Sequence, residues 1–125
     1  MRVFKTKPFA RFAARETIAD KDLCEAVGRA EAGRADANLG GGVIKMRIAR
    51  PGRGKSGGVR TIVLFRRGAR GFFVYGFAKS ERDNIRPDEL RAFRRLADEM
   101  LPLGDGALAA AVGNGTLVEI DCHGR

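Results

Sequence analysis

Apolar positions along the 125-residue chain follow first a helical period and later an alternating one. Arg2 to Thr6 alternates and predicts a first strand, after which Pro8 suits a helix's first turn and Phe9 and Phe12, three residues apart, share one face. A second helix is expected from Asp20, a capping residue type, with Leu23, Val27 and Ala30 on one side and Gly33 as its stop. Asn38 to Gly42 (NLGGG) reads as a flexible joint, beyond which the period changes to two. From Val43 to Ala49, Ile44, Met46 and Ile48 project to one side while Lys45 and Arg47 project to the other, giving a strand with a cationic face. Arg50 to Gly58 (RPGRGKSGG) reads as a glycine-rich basic loop, and the β-branched run Val59 to Phe65 as a central strand. Arg66 to Arg70 then turns the chain into an aromatic strand, Gly71 to Ala78, closing an antiparallel hairpin.

Pro87, Asp88 and Glu89 open a third helix whose buried stripe is Leu90, Phe93, Leu96, Ala97 and Met100 or Leu101, ended by Pro102. Asp105 to Val112 predicts a short fourth helix, and Thr116 to Ile120 a terminal strand or extended tail. The length fits one compact domain over residues 1–125.

Hydrophobic residues make up 44% and charged residues 31%, so the chain has the means to bury a core and is not of disordered composition. No apolar run approaches the roughly 20 residues needed to cross a bilayer. The basic N-terminus, MRVFKTKPFARFAARE, lacks the apolar core of a signal peptide and is read as folded protein. Cys24 and Cys122 are too few and too far apart to suggest a disulfide framework, so a reducing cytosol is expected.

Charge changes the picture most. Lysine and arginine total 24 against 15 acidic residues, a formal charge of +9 that points to a polyanionic partner. Between Asp36 and Glu81 there is no acidic residue, whereas Lys45, Arg47, Arg50, Arg53, Lys55, Arg60, Arg66, Arg67, Arg70 and Lys79 supply ten positive charges, leaving the remainder at minus one. Such localisation favours a binding surface over solvated decoration. Lys45 and Arg47 on one strand, with Tyr75, Phe77 and Lys79 two strands away, would line a groove in which bases stack on rings and phosphates meet cations, as single-stranded RNA requires.

Other chemistries fit poorly. Ala49 to Ser56 (ARPGRGKS) loosely resembles a phosphate loop, but Ala49 stands at the first glycine and a strand, rather than a helix, is expected after Lys55 and Ser56. Asp121, Cys122 and His123 lack a second ligand pair at zinc spacing, and no metal or other cofactor is expected. His123 is the only histidine, which closes the two-imidazole route to RNA cleavage, and Ser56, Ser80 and Cys24 lack a histidine partner. RNA cleavage remains open to cations and tyrosine if the ribose 2′-hydroxyl attacks the adjacent phosphate and something else aligns the RNA.

The order strand, two helices, then GVIKMRIARPGRGKSGGVRTIVLFRRGARGFFVYGFAKSERDNI resembles the RelE-like toxins of bacterial type II toxin–antitoxin systems, in particular the HigB-like branch with its long glycine-rich loop. The resemblance covers nearly the whole chain; its most specific pieces are the strand around Lys45, the GGVRTIV start of the central strand and the FVYGFAKSERDNI segment. It implies an α+β domain, with an antiparallel sheet of about four strands between N-terminal helices and a C-terminal helix. It also implies metal-free cleavage of messenger RNA on the ribosome, and a cognate antitoxin as partner. By match to the family's pattern, Lys45 would move a proton, Arg60 and Arg82 would hold the scissile phosphate, and Arg47 and Lys79 would orient the backbone. Arg50, Arg53 and Lys55 of the basic loop, with Tyr75, complete the expected RNA-binding set. The family's ribosome-dependent members carry a tyrosine shortly after the last basic cluster, where this chain has Asn84 and Ile85, and Ser80 replaces an arginine. Tyr75 would then take over, unless it is a core residue; Arg82 has an alternative as the partner of Glu81 or Asp83, and Arg60 as a ligand of sheet-edge carbonyls.

Two other functions share parts of this pattern. A ParE-like toxin inhibits DNA gyrase by protein contacts and needs no basic groove; a plain RNA-binding module shares the charge and lacks toxicity.

Overall fold

A computed structural model describes the backbone of residues 1–50 and 54–122 and the side chains of residues 1–50 and 58–122. The chain runs β1 (Arg2–Thr6), α1 (Lys7–Arg15), α2 (Asp20–Glu31), β2 (Ala37–Gly40), β3 (Val43–Arg50), β4 (Gly54–Arg66), β5 (Arg70–Ala78), α3 (Pro87–Met100), α4 (Asp105–Gly113) and β6 (Leu117–Ile120). The six strands form one sheet in the order β2-β3-β4-β5-β1-β6. The class is α+β as expected, but the sheet has six strands instead of about four, and β1 lies parallel to β5.

Local sequence explains most elements. Thr6 caps α1, its Oγ1 accepting from the Phe9 amide at 3.3 Å, and Phe9, Phe12 and Ala13 form the buried stripe. The cap of α2 is Ala19 instead of Asp20: the Asp22 carboxylate reaches back to the Ala19 amide at 3.1 Å, while Asp20 accepts from Lys5 Nζ at 2.8 Å. The NLGGG segment is no free joint, because Ala37–Gly40 pairs with β3 and Gly41 and Gly42 make the turn. Likewise the expected loop over residues 50–58 is shortened by β4, which begins at Gly54 and extends the β3–β4 ladder to an Arg50–Gly54 pair.

The core lies on both faces of the sheet. Under α1 and α2 it consists of Phe9, Phe12, Leu23, Val27, Met46 and Phe73 among others; under α3 and α4, of Phe4, Val43, Ile62, Leu64, Phe72 and Leu108 among others. The α3 stripe is only half covered: Ala97 and Leu101 are buried, whereas Leu90, Phe93, Leu96 and Met100 stay partly exposed.

The two cysteines are not separate thiols. Cys24 on α2 and Cys122 beyond β6 form a disulfide with Cα atoms 5.6 Å apart, despite a sequence separation of 98. Chain distance misleads here because α2 lies across the sheet. Its first turn is tied to β1 through Asp20 and Lys5, and its last turn reaches β3, where Arg29 Nη2 donates to the Arg47 carbonyl at 2.7 Å. Since β6 pairs with β1, the C-terminal end of β6 arrives beside Cys24.

Candidate nucleic-acid interface

In an antiparallel ladder directly opposed residues share a face, so the register of β3, β4 and β5 places side chains in rows. The row Val43, Leu64, Phe72 is buried under α3. Next comes Lys45, Ile62, Tyr75, and beyond it Arg47, Arg60, Phe77. Two cationic residues and one aromatic thus stand in the outermost row, with a cation and an aromatic flanking Ile62 in the row behind.

A bulge sets this arrangement. Ile62 pairs with Tyr75 but Val63 pairs with Phe73, so Val74 is an extra residue in β5. Phe73 faces α1 and α2, and Val74 and Tyr75 both turn to the opposite side, which brings Tyr75 and Phe77 onto the face of Lys45 and Arg47. Regular alternation from Phe72 would have sent both rings the other way. Gly76 occupies the side facing α1, where a Cβ would lie 2.3 Å from the Phe12 ring. Gly58 is equally constrained: a Cβ there would meet the Ile48 carbonyl oxygen at 2.1 Å.

Arg82 closes one end of the rows. Its Nη1 donates to the Tyr75 hydroxyl at 3.0 Å and to Glu89 Oε2 at 3.2 Å, its Nη2 to Glu89 Oε1 at 2.6 Å, and its Nε to the Asn84 carbonyl at 3.0 Å. The guanidinium carbon sits 5.8 Å from the Tyr75 ring centroid and 5.5 Å from that of Phe77. These contacts raise the Arg82 pKa, the Glu89 hydrogen bond most of all, and the same bond holds the Glu89 carboxyl below the usual range. Glu89 also accepts from the Arg86 amide at 2.7 Å, which caps α3. The tyrosine ring is packed at 6.0 Å from Phe77 and 5.8 Å from Phe93.

The remaining expected residues are distributed differently. Arg60 is 4% exposed, at the centre of its row. Arg50 is ion-paired with Glu16 at the end of α1, which draws it away from the rows. Lys79 lies in the turn after β5, where strand alternation no longer fixes its direction, and is exposed. Arg53 and the Lys55 side chain lie outside the described residues, as does His123. Arg66, Arg67 and Arg70 sit at the opposite end of the sheet, where Arg67 donates to the Glu31 carbonyl and Arg70 to that of Leu103. The positive stretch is therefore split between the two ends of the β4–β5 hairpin rather than gathered in one concavity.

Glu89 escaped the sequence reading because an acidic residue in the first turn is explained by the helix alone; its spacing of seven from Arg82 was the one available signal. A separate cavity of about 550 Å³ is lined mainly by apolar side chains, Val74, Phe93, Leu96, Met100 and Leu117 among them, with Thr6, Lys7 and Thr116 at its border. Among the described residues no cluster of His, Cys, Asp and Glu has the makings of a metal site.

The profile of the RelE toxin of the RelE/RelB toxin–antitoxin system matches residues 1–120. The chain belongs to this family. No individual curated protein matches it. As a RelE-family member it is a toxin of a toxin–antitoxin system and has a cognate antitoxin as partner. No helix among the described residues of this RelE-family toxin is long and apolar enough to cross a membrane.

Proposed function

We propose that this toxin is an endoribonuclease of the HigB-like branch that cleaves messenger RNA on the ribosome, in the cytoplasm, without a metal. The observation that carries the reading is the pair of cross-strand rows, Lys45–Ile62–Tyr75 and Arg47–Arg60–Phe77, which sets cations beside aromatic rings on one sheet face. In the reaction the ribose 2′-oxygen bonds to the adjacent phosphorus as the bond to the 5′-oxygen breaks, leaving a 2′,3′-cyclic phosphate and a 5′-hydroxyl. Lys45 takes the 2′-hydroxyl proton. Arg47 and Lys79 hold the backbone, and Arg60, nearly covered, contributes its charge from beneath the phosphate, where a low dielectric strengthens it. The ribosome supplies the alignment of the RNA.

Expression without antitoxin should arrest translation and produce cuts inside translated messages. Mapping transcript ends after induction tests this: cyclic phosphate ends within codons are expected. Intact messages with stalled replication would overturn the reading in favour of gyrase inhibition.

A further inference from the structure

Arg82 is not free to grip a phosphate with two prongs. A guanidinium has five N–H donors, and four of its bonds are committed to Tyr75, Asn84 and the two oxygens of Glu89. The two Glu89 bonds neutralise its charge locally, and the Glu89 carboxylate is itself fixed by the Arg86 amide at the start of α3. What this strut holds in place is the Tyr75 hydroxyl. That oxygen accepts the Arg82 N–H, so the phenolic proton points elsewhere, and the ring is fixed between Phe77 and Phe93.

We propose that Glu89 is a positioning residue which, through Arg82, sets the Tyr75 hydroxyl as the proton donor to the leaving 5′-oxygen. The inference rests on the ribonuclease reading. Lys45 and Tyr75 occupy the two ends of one row with Ile62 between them, so their backbones are two strand spacings, roughly 10 Å, apart. Ile62 itself is fully buried, whereas Lys45 and Tyr75 are partly exposed; a phosphate reaching both side chains then has a proton acceptor on the side of the attacking oxygen and a donor on the side of the leaving one, as in-line displacement demands. As the 2′-oxygen–phosphorus bond forms, the 2′-hydroxyl proton passes to the Lys45 side-chain nitrogen. As the phosphorus–5′-oxygen bond breaks, the 5′-oxygen takes the Tyr75 proton, and the resulting phenolate rests against the Arg82 guanidinium. Water then returns the tyrosine proton, and the lysine releases its own.

The test is single-turnover cleavage of messenger RNA on programmed ribosomes by the wild-type toxin, Glu89→Gln, Tyr75→Phe and the double variant. Glutamine at the same position still caps α3, so Glu89→Gln should fold, which thermal melting checks. Tyr75→Phe is expected to lower the saturating rate about 10²-fold. Glu89→Gln should lower it about tenfold with the half-saturating concentration unchanged. The double variant should be no slower than Tyr75→Phe, because Glu89 acts only through that hydroxyl. Multiplying losses in the double variant, or a Glu89→Gln rate equal to wild type, would overturn the inference and leave the ribonuclease reading standing. Wild-type toxin that leaves the message intact would overturn both.

Discussion

Arg47 and Arg60 face each other directly across the β3–β4 ladder. Like charges in that relation destabilise a sheet by up to about 1 kcal/mol relative to neutral pairs, which a polyanion lying on the face would relieve. The Arg47 backbone is secured independently, its amide donating to Asp36 at 2.7 Å and its carbonyl accepting from Arg29. Arg47→Thr is therefore expected to leave the melting temperature unchanged or slightly higher. In titrations with single-stranded RNA over a salt series, it should reduce the log–log slope by about 0.7, the value of one phosphate contact. A lower melting temperature with an unchanged slope would mean that the side chain serves the fold.

The Arg82–Glu89 pair gives the protein an acid-sensitive component. Its bond from Arg82 depresses the folded-state pKa of Glu89, and Arg86 does the same for Asp88. A depressed carboxyl contributes stability that is complete above its unfolded value, about 4.3 for glutamate, and is lost as pH falls through the folded value. Thermal melts from pH 6 to pH 3 should show the wild type losing its advantage over Glu89→Gln as acidity rises. A gap that stays constant would contradict the linkage.

The disulfide predicts a redox-dependent stability. Joining residues separated by 98 positions constrains the unfolded chain strongly, and removal of such a link typically costs about 2–5 kcal/mol. Denaturant unfolding with and without dithiothreitol should show that loss, and Cys24→Ser should reproduce it and become insensitive to the reductant. Equal midpoints in both conditions would show that the link carries no stability.

Gly76 offers a sharper packing test. Alanine there would drive its Cβ into the Phe12 ring, an overpacking expected to cost about 1–3 kcal/mol. Shortening the ring by Phe12→Leu should return part of the loss, a coupling that a double-mutant cycle with urea unfolding reads directly. Additive effects would place the strain elsewhere.

Periodicity made most of the fold legible: the alternation of Ile44, Met46 and Ile48 against Lys45 and Arg47, and the stripes of α1, α2 and α3, are local signals. The parts that stayed hidden depend on partners distant in sequence. Ala37–Gly40 is a strand because β3 offers it an edge, not because ANLG favours extension. Cys24 meets Cys122 because β6 docks on β1. At the site, the shared face of Lys45 and Arg47 was readable, but that of Tyr75 with them depends on a register shift that periodicity alone does not announce. The diversion of Arg50 to Glu16 and of Arg82 to Glu89 follows from where α1 ends and α3 begins.

The extra residue in β5 makes the interface sensitive to length as well as to composition. Removing Val74 would leave every other side chain of the hairpin chemically intact yet exchange inside for outside from Tyr75 onward, burying the tyrosine against α1 and turning Gly76 onto the face of Lys45 and Arg47. A toxin disarmed in this way would retain all of its basic residues, so a count of them would give no sign of the loss.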